Sequence, residues 1–464
     1  MINELNTGDT AWVLASAALV LLMTPGLAFF YGGMVRAKGA LNMLMMSFVA
    51  LGTVGVLWVL FGYSMAFGDS LGGVVGNPLQ FAGLTALLRP EAVVGTVPAL
   101  AFAAFQAAFA IIAVALISGS VADRTSFRTW TAFTALWAVL VYFPTAHWVF
   151  AFDGLAAERG GWIANTVKAI DFAGGTAIHI NAGAAGLALA LVLGRRLDFG
   201  LRPMRPHNMT LVMLGAGLLW FGWFGFNAGS ALGANATAAL AWVNTLAAPA
   251  AALLAWLVVE HFRDGHPTSL GAASGIVAGL VAITPAAGSV SPLGAVAIGA
   301  AAGVACAYAI GLKNRFGIDD SLDVVGVHLV GGLLGTLAIG FLADPASPAG
   351  VAGLLYGGGA DQLVRQAIGA VAVLAYSFAV TYAIGKGLDL LLGFRVSPAA
   401  ENSGIDLAEH SEVGYDLSPV YYTSFDRVGR TLLVEPATLP PHVLEHIAAV
   451  RDTGEGTDRT EVSA

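Results

Sequence analysis

The chain has 464 residues, of which 57% are apolar and only 11% charged, less than half the charged fraction of ordinary soluble domains. This composition excludes a soluble globular domain and predicts a polytopic membrane protein. The formal net charge of -8 resides in residues 397–464, which hold twelve Asp/Glu against four Arg, so the preceding residues carry seventeen charges of each sign.

Residues 1–10 contain Glu4 and Asp9 but no Lys or Arg, which argues against the basic start of a cleaved signal peptide and predicts a retained first span. Crossing the hydrocarbon core takes about 20 residues. Eleven stretches qualify: 11–33, 41–66, 98–120, 129–150, 173–194, 208–232, 237–259, 268–287, 292–312, 324–343 and 364–392. In this alternating count twelve Lys/Arg between Arg36 and Arg395 fall on one side, against Arg89, Arg159, Lys168 and Arg365 on the other. The positive-inside rule therefore predicts an N-terminus outside and a cytoplasmic C-terminus. Cys306 is the only cysteine, so no disulfide forms within the chain. No nucleotide-binding loop or nucleic-acid motif is present in the sequence.

Two histidines, His179 and His328, stand in long uncharged apolar runs, each eight residues after an aspartate, Asp171 and Asp320. Ionisable residues inside spans cost about 2.5–3.5 kcal/mol on insertion scales and are usually functional. A neutral imidazole carries one donor and one acceptor nitrogen, so two in series pass protons or orient a small hydrogen-bonding solute. The competing reading, a buried histidine satisfied by a carbonyl, accounts for one such residue better than for a matched pair. Neither helix offers a Cys, Asp, Glu or second His at ligand spacing, so no metal or cofactor is expected. With a rise of about 1.5 Å per residue, His179 falls outside the midplane and His328 inside it, and spacing alone does not bring them into contact. Asp171 reads as a helix-start carboxylate that satisfies orphan amides, with direct cation binding as the alternative. Asp319, Asp320 and Asp323 read the same way. Five spans separate the histidine helices, and an odd offset inverts the second half, giving a 5+5 inverted repeat plus one extra helix.

The segment DFAGGTAIHINAG (171–183) resembles the signature of the ammonium transporter (Amt/Mep/Rh) family, in its bacterial Amt form. TPGLAFFYGGMVR (24–36), FQAAFA (105–110), WFGFNAGSALGAN (223–235), LGAASGIVAGLVAITPAAG (270–288) and DDSLDVVGVHLVGG (319–332) agree with it in the same order. The resemblance implies an eleven-helix fold in residues 1–396, a homotrimer in the cytoplasmic membrane and one narrow pore per subunit. It further implies that His179 and His328 are the twin histidines of that pore, that Phe109 and Phe226 form a stacked gate, and that Trp223 lines the pore beside the histidines. Ammonium would be recruited at Phe109, Phe150 and Ser230, deprotonated near the gate and passed inward as ammonia. Whether the proton follows separates electrogenic transport from a neutral gas channel.

One departure concerns Phe150, which stands where the family pattern has tryptophan. Trp148 lies two residues earlier, about 200° round a helix of 3.6 residues per turn, and is not expected to substitute. Phenylalanine is the weaker cation-π partner, which predicts a looser outer site.

Residues 397–464 form an acidic, proline-punctuated tail. GIDLAEHSEVGYDL (404–417) resembles the family's cytosolic motif, with Ser411 where glycine is usual, and implies coupling between subunits and a PII-type signal protein as partner; a plain solvated tail is the alternative. Residues 442–451 read as a short amphipathic helix, and those from Arg451 onward as disordered. The alternative function is an ammonium sensor signalling through its tail. An intramembrane histidine enzyme lacks a nucleophile or metal constellation.

Overall fold

In the computed structural model, residues 4–201 and 204–415 are described, together with 422–425 and 431–434. Lipid offers backbone amides no water to bond, so a spanning segment satisfies them internally as a helix. Among the described residues, ten helices are long and apolar enough to cross a membrane. They are α1 (Thr7–Met34), α2 (Ala37–Phe67), α3 (Ala99–Val121), α4 (Phe127–Phe150), α5 (Gly175–Leu193), α6 (Met209–Gly229), α7 (Ala236–Asp264), α9 (Pro292–Phe316), α10 (Val325–Leu342) and α11 (Asp361–Leu392). The remaining predicted span, 268–287, is shorter than expected: α8 is the 15-residue apolar helix Ser269–Ile283. It stops ahead of Pro285, which brings no amide to the helical ladder.

The histidine helices share one local design. Each opens with a π-helical turn, Gly175–Ile180 in α5 and Val325–Leu329 in α10, and each turn holds its histidine before the ordinary α-helix resumes. The side-chain oxygens of Asp171 accept the amides of Gly174, Gly175, Thr176 and Ala177 at 2.7–3.0 Å. Those of Asp320 accept Val324 N and Val325 N at 3.1 and 2.7 Å. The chain reaches the first of these turns through Gly174 at φ 120°, a conformation that a side chain disfavours.

Helices α5 and α10 cross closely because each carries a glycine four residues after its histidine. A Cβ on Gly183 would lie 2.5 Å from Leu329 N, and one on Gly332 would lie 3.2 Å from the Cβ of His179. Small residues at such crossings are how helices gain van der Waals contact in lipid.

The bundle end opposite the N-terminus is rich in arginine. Arg196 pairs with Asp319 at 2.7 Å, Arg36 with Asp123 at 2.8 Å and Lys313 with Asp323 at 2.6 Å. The fully buried Arg124 donates to the Asp319 carbonyl and to Ser321 Oγ. Burial pushes the Asp319 carboxyl up, but hydrogen bonding to Arg196 and the charge of Arg124 outweigh this and hold it below the usual carboxylate range.

The compact unit extends to Gly414, and the first part of the acidic segment supplies it with caps. Asp406 accepts the amides of Leu41 and Asn42 at the start of α2, at 3.1 and 2.8 Å. Glu409 accepts Phe127 N at the start of α4 at 2.8 Å, and Glu401 accepts Leu197 N at 2.7 Å. Carboxylates at helix starts are favourable both as acceptors and by charge. Ser411 takes the left-handed turn at φ 56° that glycine would take more readily. In the second unit, residues 415–464, the described residues form an antiparallel pair, Tyr422–Phe425 with Thr431–Val434. The helix expected at 442–451 and the stretch from Arg451 onward lie outside the described residues.

Candidate functional site

A half-open cavity of about 310 Å³ lies at the N-terminal end of the bundle, bordered by Phe109, Phe150, Ser230 and Asp171, with Phe102, Gln106 and Lys168. Helix α3 brings Phe102, Gln106 and Phe109 to it because positions separated by three or four residues share a helix face. Ser230 caps the end of α6, and its hydroxyl donates to Phe226 O at 2.8 Å, which leaves the oxygen lone pairs for an N–H donor. Trp148 is not part of this cavity. Its indole N–H donates to Val74 O at 2.6 Å and its ring packs on Tyr376 at 4.7 Å, as the 200° offset from Phe150 requires.

The rings of Phe109 and Phe226 close the floor, stacked at 4.2 Å between centroids and 13° between planes. Beyond them the imidazole of His179 lies 6.2 Å from Phe226 and stacks on Trp223 at 5.4 Å and 18°. His179 and His328 face one another through their Nδ1 atoms at 3.2 Å, with ring centroids 5.3 Å apart. His179 Nε2 is buried and has no hydrogen-bond partner.

Around the pair the walls are apolar: Met23, Leu27, Phe30, Ile112, Leu116, Ile178, Leu219 and Val277. They enclose a narrow void of about 10 Å³, close to the roughly 10–15 Å³ that one water-sized molecule requires. At the arginine-rich end a wider cavity of about 840 Å³ opens, bordered by Arg36, Arg196, Lys313 and Asp323. Two cavities with charged side chains in their walls thus accompany an apolar constriction whose polar groups are imidazoles.

Sequence reasoning missed several supports of this arrangement. Thr284 Oγ1 accepts the indole N–H of Trp223 at 2.8 Å and donates to Leu280 O, which fixes the ring against His179. Asn181 donates to Thr145 Oγ1 at 2.8 Å, tying α5 to α4. Gly183 and Gly332 were legible as the same His-x-x-x-Gly spacing in both histidine helices. Gln106 was legible as the residue one helical turn before Phe109.

These features define a multi-pass helical membrane protein with aromatic and imidazole groups in line between two cavities. The model of the Ammonium Transporter Family matches residues 11–415, and the chain belongs to that family. The ammonium transporter of Mycobacterium tuberculosis is 60% identical over 432 residues, covering 89% of this chain and 91% of its own. That of Aquifex aeolicus is 48% identical, covering 89% and 95%. Among solved structures, a sensor Amt protein aligns at a TM-score of 0.79 with 30% identity, covering 87% of this chain and 98% of its own. Candida albicans Mep2 aligns at 0.78 with 31% identity, covering 90% and 94%.

Proposed function

We propose that this protein transports ammonium inward across the cytoplasmic membrane, with its N-terminus outside, its C-terminus inside and one pore in each subunit of a homotrimer. The observation that carries this reading is the line from the outer cavity, through stacked Phe109 and Phe226, to a pair of touching imidazoles in an apolar void about one small molecule wide.

Magnitudes decide the form in which the substrate crosses. A cation-π contact contributes about 0.5–2 kcal/mol, whereas an isolated charge in an apolar medium costs tens of kcal/mol by Born arguments. Phe109, Phe150 and the Ser230 hydroxyl therefore suffice to recruit ammonium at a wet mouth, but not to carry the ion past the gate. Breaking one N–H bond leaves neutral ammonia, which needs only hydrogen-bond partners, and the ring nitrogens of His179 and His328 supply them. The pair also relays the released proton, which rejoins ammonia at the inner cavity. Asp171 supports the site by holding the start of α5 through four backbone amides. Potassium has no proton to lose and is excluded.

The caps supplied by Asp406 and Glu409 make the segment after α11 a candidate surface for a PII-type partner at the cytosolic face, since a change there is felt at the starts of α2 and α4. The likeness to a solved sensor Amt protein keeps a sensing role as the second reading.

The experiment is reconstitution in liposomes with current recorded on an ammonium pulse and on a potassium pulse. Transport gives a response to ammonium alone. Binding of ammonium without any current or uptake favours the sensor.

A further inference from the structure

The geometry points to Asp9, seconded by Trp12, as the positioning residue of the outer ammonium site; this rests on the recruitment reading given above. Asp9 lies in the first turn of α1, away from the gate and histidines, yet its carboxylate joins the two walls of the outer cavity. Oδ2 accepts the Thr96 hydroxyl at 2.6 Å, and Oδ1 accepts Ala234 N at 2.9 Å. Thr96 sits in the hairpin Val93–Val94/Val97–Pro98 that leads straight into α3, the helix of Gln106 and Phe109. Ala234 lies in the loop that begins with Ser230 and ends at Asn235, the cap of α7; Ser230 and Leu232 of this loop border the cavity.

That loop cannot hold its shape by local preference. Leu232 is in the left-handed region at φ 52°, a conformation that costs a branched side chain free energy and persists only when its surroundings over-determine it. Asp9 provides that constraint from one side. Gly233 packs so closely on it that a Cβ there would lie 2.8 Å from Oδ1. Trp12 provides it from the other, donating its indole N–H to Ala228 O at 3.1 Å, two residues before Ser230. The start of α1 is itself anchored, because Asn6 caps it through Asp9 N at 3.0 Å and donates its own amide to Thr96 O at 2.9 Å. One half-buried carboxylate thus sets the distance between the Ser230 hydroxyl and the Phe109 face without touching the cation. A site held loosely loses binding that depends on simultaneous contact with both groups.

The test uses the full-length protein in liposomes and measures initial ammonium response against concentration for wild type, Asp9→Ala, Trp12→Phe and Thr96→Val. Asp9→Ala is expected to raise the half-saturating ammonium concentration roughly three- to tenfold, the loss of one cation-facing contact, with the maximal rate within about twofold of wild type. Trp12→Phe, which keeps an aromatic ring, and Thr96→Val, which is nearly isosteric, remove one hydrogen bond each and shift it in the same direction by less. They carry the test if Asp9→Ala does not accumulate. Unchanged half-saturation in the variants, or a fall in maximal rate alone, overturns the positioning role and leaves the transport reading standing. A wild type that gives no ammonium response overturns the transport reading, and this inference with it.

Discussion

Gly183 lies against Leu329, with the site of its absent Cβ 2.5 Å from the Leu329 amide nitrogen, and these two residues set how near His179 and His328 come to one another. Replacing Gly183 by alanine must push α5 and α10 apart, since the obstacle is backbone. Overpacking of this kind costs about 1–3 kcal/mol, and misplacing the imidazoles lowers transport about tenfold or more. At Gly332 the nearest atoms are 3.1–3.2 Å from an added Cβ, so Gly332→Ala is the milder change. Parallel uptake assays on both variants check the order; equal effects contradict the close crossing as the cause.

Phe150→Trp places the stronger cation-π partner on the outer cavity. It is expected to lower the half-saturating ammonium concentration about two- to fivefold, corresponding to about 0.5–1 kcal/mol. The maximal rate, set beyond the gate, stays unchanged. Saturation curves for wild type and variant decide the matter.

Asp319 shows its value through pH. Its carboxyl is held below the usual range in the folded protein by Arg196 and Arg124, so its contribution to stability is full above the unfolded value of about 3.9 and is lost as pH falls through the folded value. Asp319→Asn leaves Arg124 buried beside an uncharged amide and is expected to destabilise the protein by about 3–5 kcal/mol at neutral pH. The gap in thermal midpoint between the two proteins, measured in detergent, narrows on acidification through that range. A gap constant with pH would falsify the ion-pair account.

Ser411 closes the turn after the caps Asp406 and Glu409 in a left-handed conformation. Glycine adopts this at no steric penalty, so Ser411→Gly relieves about 1 kcal/mol and raises the unfolding temperature, whereas Ser411→Ala, which keeps the Cβ, brings no such gain.

What the sequence made legible and what it left hidden divide on physical lines. All eleven predicted spans fall within five residues of the observed helix ends, because hydropathy over a bilayer-length window is a strong signal. The largest shortening is at 268–287, where the helix stops at Ile283 ahead of Pro285 and is left with 15 residues. The matched spacing of Asp171 with His179 and of Asp320 with His328 pointed to paired helix starts, since a carboxylate ahead of a helix has a local use. The 3.2 Å approach of the histidines was not available from composition or period. It depends on Gly183 and Gly332, whose packing partners lie more than a hundred residues away, on Thr284 holding Trp223 from 61 residues away, and on the π-helical turns that carry the two rings. The tail divided in the same way: its polarity was plain, while the use of Asp406 and Glu409 as caps required the helices they cap.

The histidine pair is the centre of the account, and its most direct test is the current on an ammonium pulse in liposomes holding His179→Leu/His328→Leu, with a potassium pulse as control. The account predicts no current with either ion, because the apolar void then offers neither a partner for ammonia nor a path for the proton. Ammonium current at the wild-type rate, with potassium still excluded, would contradict it.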